Sequence, residues 1–91
     1  MTTATRIRDA AGPLAQALCA VQDLGIRVPP ADVLIAYTAS GCVVRVADRS
    51  SSHRDAIEHC FRSAFVAAGW GVAVRYTGGL TMQHPMELTR V

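Results

Sequence analysis

The sequence predicts an α+β fold: a two-layer sandwich in which a mainly antiparallel four-stranded sheet carries two helices on one face, in the order α-β-β-α-β-β. Three observations lead there. Apolar residues recur at three- and four-residue steps over two stretches, 5–24 and 52–68. Four short runs, three of them rich in Val, Ile or Tyr and the last built on Leu80 and Met82, alternate with a period of two. Each pair of those runs is joined by a glycine-containing tight turn, the signature of a hairpin. Two hairpins and two amphipathic helices bury their apolar sides most simply as one helical layer on one sheet.

In the first helical stretch, Ile7, Ala10, Ala11, Leu14, Ala17, Leu18, Val21 and Leu24 share one face. Gly12-Pro13 interrupts it. Proline suits the first helical position and disrupts an interior one, so a regular helix is expected to begin at Pro13, behind an irregular or helical N-terminal arm over residues 1–12. Gly25 supplies a left-handed C-cap, and Pro29-Pro30 forbid further helix.

Two strands are expected next, over 32–39 and 42–47, with Ser40-Gly41 as the turn. Alternation places Val33, Ile35 and Tyr37 on one face with Cys42, Val44 and Val46, and Leu34, Ala36, Thr38, Val43, Arg45 and Ala47 on the other. After a polar break, Ser52 and Asp55 resemble a capping box that opens the second helix. Its apolar stripe is Ile57, Cys60, Phe61, Ala64, Phe65 and Ala68, and Gly69 ends it. Arg54, Glu58 and Arg62, at four-residue steps, form a solvated face.

The second hairpin sets Val72, Val74 and Tyr76 against Ala73, Arg75 and Thr77, turns at Gly78-Gly79, and continues through Leu80, Met82 and His84. Pro85 has no backbone donor, so the last strand is expected at a sheet edge, with residues 85–91 fraying beyond it. Residues 33–38 and 72–77 share a strand pattern that hints at a duplicated helix–hairpin unit.

At 91 residues, 51% hydrophobic and 18% charged, the chain is expected to form a single domain over 1–91 with enough apolar material to exclude intrinsic disorder. The longest nearly apolar stretch, Ala64 to Val74, is about half the ~20 residues a membrane-spanning helix needs. The first six residues have no apolar run behind them, so no secretion signal is expected. Three cysteines, Cys19, Cys42 and Cys60, form an odd set without CxxC spacing. They read as reduced core thiols of a cytoplasmic protein rather than disulfide partners or zinc ligands. All nine basic residues are arginine against seven acids, and the isoelectric point near 8.7 lacks the strong basic bias of a dedicated nucleic-acid binder.

No catalytic, metal or cofactor site is expected. His59 and Cys60 are sequence neighbours and diverge on a helix; His53 and His59 are six apart and share no helical face. Neither Gly69-Trp70-Gly71 nor Gly78-Gly79 leads into a helix, so no phosphate cradle forms. The informative surface is the sheet face away from the helices. Leu34, Ala36, Val43, Arg45, Ala73 and Arg75 fall there, small and apolar apart from two arginines, where a solvated face would carry Thr, Lys, Glu and Ser. These six are the candidate partner-binding residues, with the arginines as anchors. Tyr37 and Tyr76 are expected on the core side, which leaves no stacking platform for bases.

The expected role is therefore a small non-enzymatic protein-interaction module acting through the open sheet face or an edge strand. Its partner would be another protein or a second copy in a homodimer; one version is a phage or mobile-element inhibitor of a host complex. The competing readings are a nucleic-acid-binding accessory protein using Arg45, Arg49, Arg54, Arg62 and Arg75, and a regulatory domain holding a small molecule at a dimer seam.

Overall fold

The computed structural model describes residues 3–47, 53–76 and 78–85. Its elements run α1 (Thr3–Asp23), β1 (Val33–Tyr37), β2 (Gly41–Val46), α2 (Arg54–Ala67), β3 (Gly71–Val74) and β4 (Leu80–Gln83), with a short 3₁₀ turn at Pro30–Asp32 before β1. The sheet is antiparallel throughout, in the order β1-β2-β4-β3. The α+β sandwich expected from the periodicities is the fold observed. No helix among the described residues is long and apolar enough to cross a membrane.

The two helices pack mainly on each other; α2 also lies against β3, β2 and β4, and α1 touches β1. Phe61, Phe65, Ile57, Leu80, Met82, Val44 and Cys42 fill the space between the layers. Both helices stop as their glycines require. In α1 the Gly25 N–H donates to the Gln22 carbonyl and the Ile26 N–H to that of Val21; in α2 Gly69 and Trp70 repeat the pattern on Val66 and Phe65. Gly25 and Gly69 have φ of 77° and 88°, the left-handed conformation that this six-to-one closure needs. The second closure also carries an apolar contact, the Phe65 and Trp70 rings meeting edge-on at 5.0 Å.

Several local expectations are corrected. Helix α1 does not start at Pro13: it begins at Thr3, and the N-terminal arm takes the helical of its two expected forms from there, continuous with the rest of the helix. Pro13 removes one bond, to the carbonyl of Asp9. That loss is offset because Ala10 and Pro13 lie on the buried stripe with Ala17 and Val21, and because the Asp9 carboxylate is tied to His84. Cys19, two residues from both Ala17 and Val21, lies on the far side of α1 and is exposed, not a core thiol. Ile7, Leu18 and Leu24 sit on the rim of the stripe and are exposed too.

The first hairpin turns one residue early. Thr38 donates to the Gly41 carbonyl and its Oγ1 accepts from the Gly41 N–H, so Ala39 and Ser40 make the loop and Gly41 belongs to β2. Tyr37 then pairs with Cys42. A turn at Ser40-Gly41 would have paired Ala39 with Cys42. The slip is an even number of residues, so every side chain keeps its face.

His53 is the N-cap of α2 and makes no side-chain cap; the expected capping box rests on Ser52, which lies outside the described residues. At the other end of that helix Ala68 is exposed. Strand β4 is not an edge strand. It lies between β2 and β3, and Pro85 does no harm there because the ladder ends at Gln83, with the His84 N–H still donating to Ser40. The frayed tail expected over 85–91 lies beyond the described residues except for Pro85. In β3, Val74 points to the helix side but is 67% exposed because the strand is an edge, and Tyr76 has left the sheet for the turn, fully exposed.

Candidate docking face

Three cross-strand rows build the sheet face opposite the helices. The first joins Leu34 to Arg45 and passes over Gly79 to Arg75, whose N–H donates to the Gly79 carbonyl. The second is Ala36, Val43, Thr81 and Ala73; the third is Gly41, Gln83 and Gly71. All six candidate residues therefore share one face, as alternation implies. Leu34, Ala36, Arg45 and Ala73 are exposed, and Val43 and Arg75 are half-buried.

The rows show why this face is flat. Glycines occupy Gly41, Gly71 and Gly79, and two of them have no room for a side chain. A Cβ on Gly79 would lie 2.6 Å from the Val44 carbonyl oxygen and 2.7 Å from Arg45 Cγ; one on Gly41 would meet the Met82 oxygen at 2.0 Å. The bare backbone at Gly79 thus gives the Arg45 stem a floor to lie on. Arg45 and Arg75, on either side of it, share a shallow depression of about 280 Å³ with Leu34, Ile35, Ala36 and Val43. Ala73 borders a neighbouring depression with Ser40, Gly71, Val72, Thr81 and Gln83. The face has a charged end and a small-residue centre. Among the described residues neither guanidinium has an acidic partner in an ion pair.

Thr81, Gln83 and the glycines complete this face beyond the six candidate residues. Their alternation with Leu80 and Met82 was visible, but placing them on this face required knowing that β4 is central. The other arginines are dispersed. Arg62 lies on the outer surface of α2, lining a hollow with Asp55 and Glu58; Arg54 starts that helix, and Arg49 is outside the described residues.

Chemistry elsewhere is confined to single groups. His84, at the end of the strand expected at a sheet edge, is buried: its Nε2 lies 2.8 Å from Asp9 Oδ2 and its ring meets Trp70 at 5.0 Å. The pair fastens the N-terminal half of α1 to the end of β4. Burial pushes the Cys42 thiol up to about 11, so it stays protonated and inert at neutral pH. No group of three or more His, Cys, Asp or Glu gathers among the described residues in a way that could hold a metal ion. No family model, curated protein or solved structure matches the chain.

Proposed function

We propose that this chain is a non-enzymatic protein-interaction module that docks a carboxylate-bearing protein surface on its open sheet face. The observation that carries the reading is the pairing of Arg45 and Arg75 at one end of a flat, small-residue face, with no acidic partner among the described residues. A guanidinium offers a planar fork of donors that binds carboxylates bidentately, and a flat apolar centre excludes water around such anchors. An inhibitor that covers the surface of a host complex, as a phage or mobile element would carry, is one form of this role. The free thiols fit a reducing, cytoplasmic setting.

The test is the double variant Arg45→Glu with Arg75→Glu. Partners retained by the wild-type chain in a pull-down from its native host are expected to be lost by the variant, while circular dichroism stays unchanged because both side chains project from the fold. Retention of the same partners by the folded variant would sink the assignment of this face.

One observation favours a nucleic-acid partner instead: Tyr76, next to Arg75, is fully exposed, not on the core side as expected, and could stack a base. That reading predicts binding to generic single-stranded DNA or RNA that weakens steeply with salt as counterions are released. Absence of any shift at about 50 mM salt would retire it.

A further inference from the structure

The first strand carries the next step. β1 is an edge strand of sequence Val33-Leu34-Ile35-Ala36-Tyr37, and among the described residues nothing pairs with its outer side. Edge strands are ordinarily blunted by charge, proline or a bulge; this one has none of the three. Its backbone parity is set by its neighbours. Asp32 accepts from the Ala47 N–H and Thr38 donates to Gly41, so the even residues bond inward to β2. Val33, Ile35 and Tyr37 therefore present their N–H and C=O groups outward.

We infer that β1 pairs antiparallel with β1 of a second copy about a two-fold axis at Ile35, making one eight-stranded sheet. In that register Ile35 faces Ile35 and Val33 faces Tyr37, and all three are outward-bonding residues, so every available edge donor finds an acceptor. The side chains agree with the backbone. Val33 lines an apolar cleft of about 470 Å³ under the end of α1, together with Leu18, Val21, Ile26, Val28 and Ile57. Tyr37 stands on the same sheet face as Val33, so the two-fold brings each Tyr37 ring to the mouth of the other copy's cleft.

The area sets the strength. Leu18, Leu34, Ile35 and Tyr37 are 39%, 47%, 37% and 38% exposed. At about 200 Å² for a large side chain, covering them removes roughly 300 Å² of mainly apolar surface per copy, before the backbone edge is added. The total falls below the ~1,200 Å² of a standard stable interface, so the dimer is weak and concentration-dependent. It rests on the reading of this chain as an interaction module and names a second copy as one partner; it also sets two open faces side by side.

Sedimentation equilibrium from about 10 to about 500 µM tests it, with the expected mass rising toward twice 9.7 kDa. Ile35→Lys places two ammonium groups at the axis and is expected to hold the chain monomeric across that range, whereas Val74→Lys on the opposite edge leaves the dimer intact. Should Ile35→Lys fail to fold, Ile35→Cys in a Cys19→Ser background is the second measurement. Residues in a hydrogen-bonded antiparallel pair sit with Cα atoms about 5.5 Å apart, so a short bifunctional thiol-specific cross-linker is expected to give a covalent dimer. A monomeric wild type at the highest concentration, a dimer that survives Ile35→Lys, or no cross-link from Ile35→Cys overturns the inference. Retention of the same partners by the folded Arg45→Glu, Arg75→Glu variant, with the dimer intact, would instead count against the docking face alone.

Discussion

Two glycine-to-alanine substitutions should move stability in opposite directions, and the structure says by how much. At Gly41 an added Cβ would lie 2.0 Å from the Met82 carbonyl oxygen, 3.0 Å from its carbon and 3.2 Å from Gln83 Cα. All three are backbone atoms, so no side chain can rotate away. Relief needs β2 and β4 to part by about 1 Å, which takes ladder bonds beside Gly41 out of hydrogen-bonding range. Two or three bonds at about 1 kcal/mol each give a loss of roughly 2–4 kcal/mol. Against a total of about 5–14 kcal/mol for a domain of this length, that is a large fraction. At Gly12, inside α1 and exposed, an added Cβ meets nothing within 4 Å apart from its neighbours in the chain and its own helix. Gly12→Ala should therefore stabilise by at most about 0.5–1 kcal/mol through the lower backbone entropy of the unfolded chain, reduced by crowding of the new Cβ against the Pro13 ring. Urea unfolding followed by Trp70 fluorescence is the assay, since that indole is buried against Phe65 and His84. The midpoint should fall for Gly41→Ala and rise for Gly12→Ala with little change of slope. A Gly41→Ala midpoint equal to wild type would refute the close approach of β2 to β4.

Further expectations concern single groups. One thiol, Cys19, should react with a thiol reagent in the native protein at pH 8, and three after unfolding, because Cys42 and Cys60 are buried; three fast native thiols would mean the core is open. The Cys42 pKa is raised in the folded state, from 9.0 to about 11, so its contribution to stability is complete below about pH 9 and is lost as pH climbs through 11. A midpoint in urea that does not fall over this interval, relative to Cys42→Ser, would contradict that assignment. Asp9→Ala removes the 2.8 Å contact to buried His84 and should cost about 1–3 kcal/mol, read in the same unfolding assay. It should also speed amide exchange in α1 ahead of Pro13; unchanged exchange there would show that the contact does not fasten the helix.

The features legible in the sequence are those set by near neighbours. Gly25 and Gly69 end both helices because a left-handed residue is needed at those positions whatever surrounds them. The stripe of Ile57, Cys60, Phe61 and Phe65 follows from helical geometry alone. The two faces of the sheet follow from alternation, which is why Leu34, Ala36, Val43, Arg45, Ala73 and Arg75 emerge together even though the first turn lies one residue earlier than expected.

Strand order was beyond such reasoning, because pairing joins residues far apart in the chain and several orders bury the same apolar faces. Only the assembled sheet sets β4 in the middle, closes Gly41 against Met82, and leaves β1 and β3 as edges with Ile35, Tyr37 and Val74 uncovered. The helix through Pro13 and the burial of His84 have the same origin: each is held by contacts to a partner many residues away, which no local pattern records.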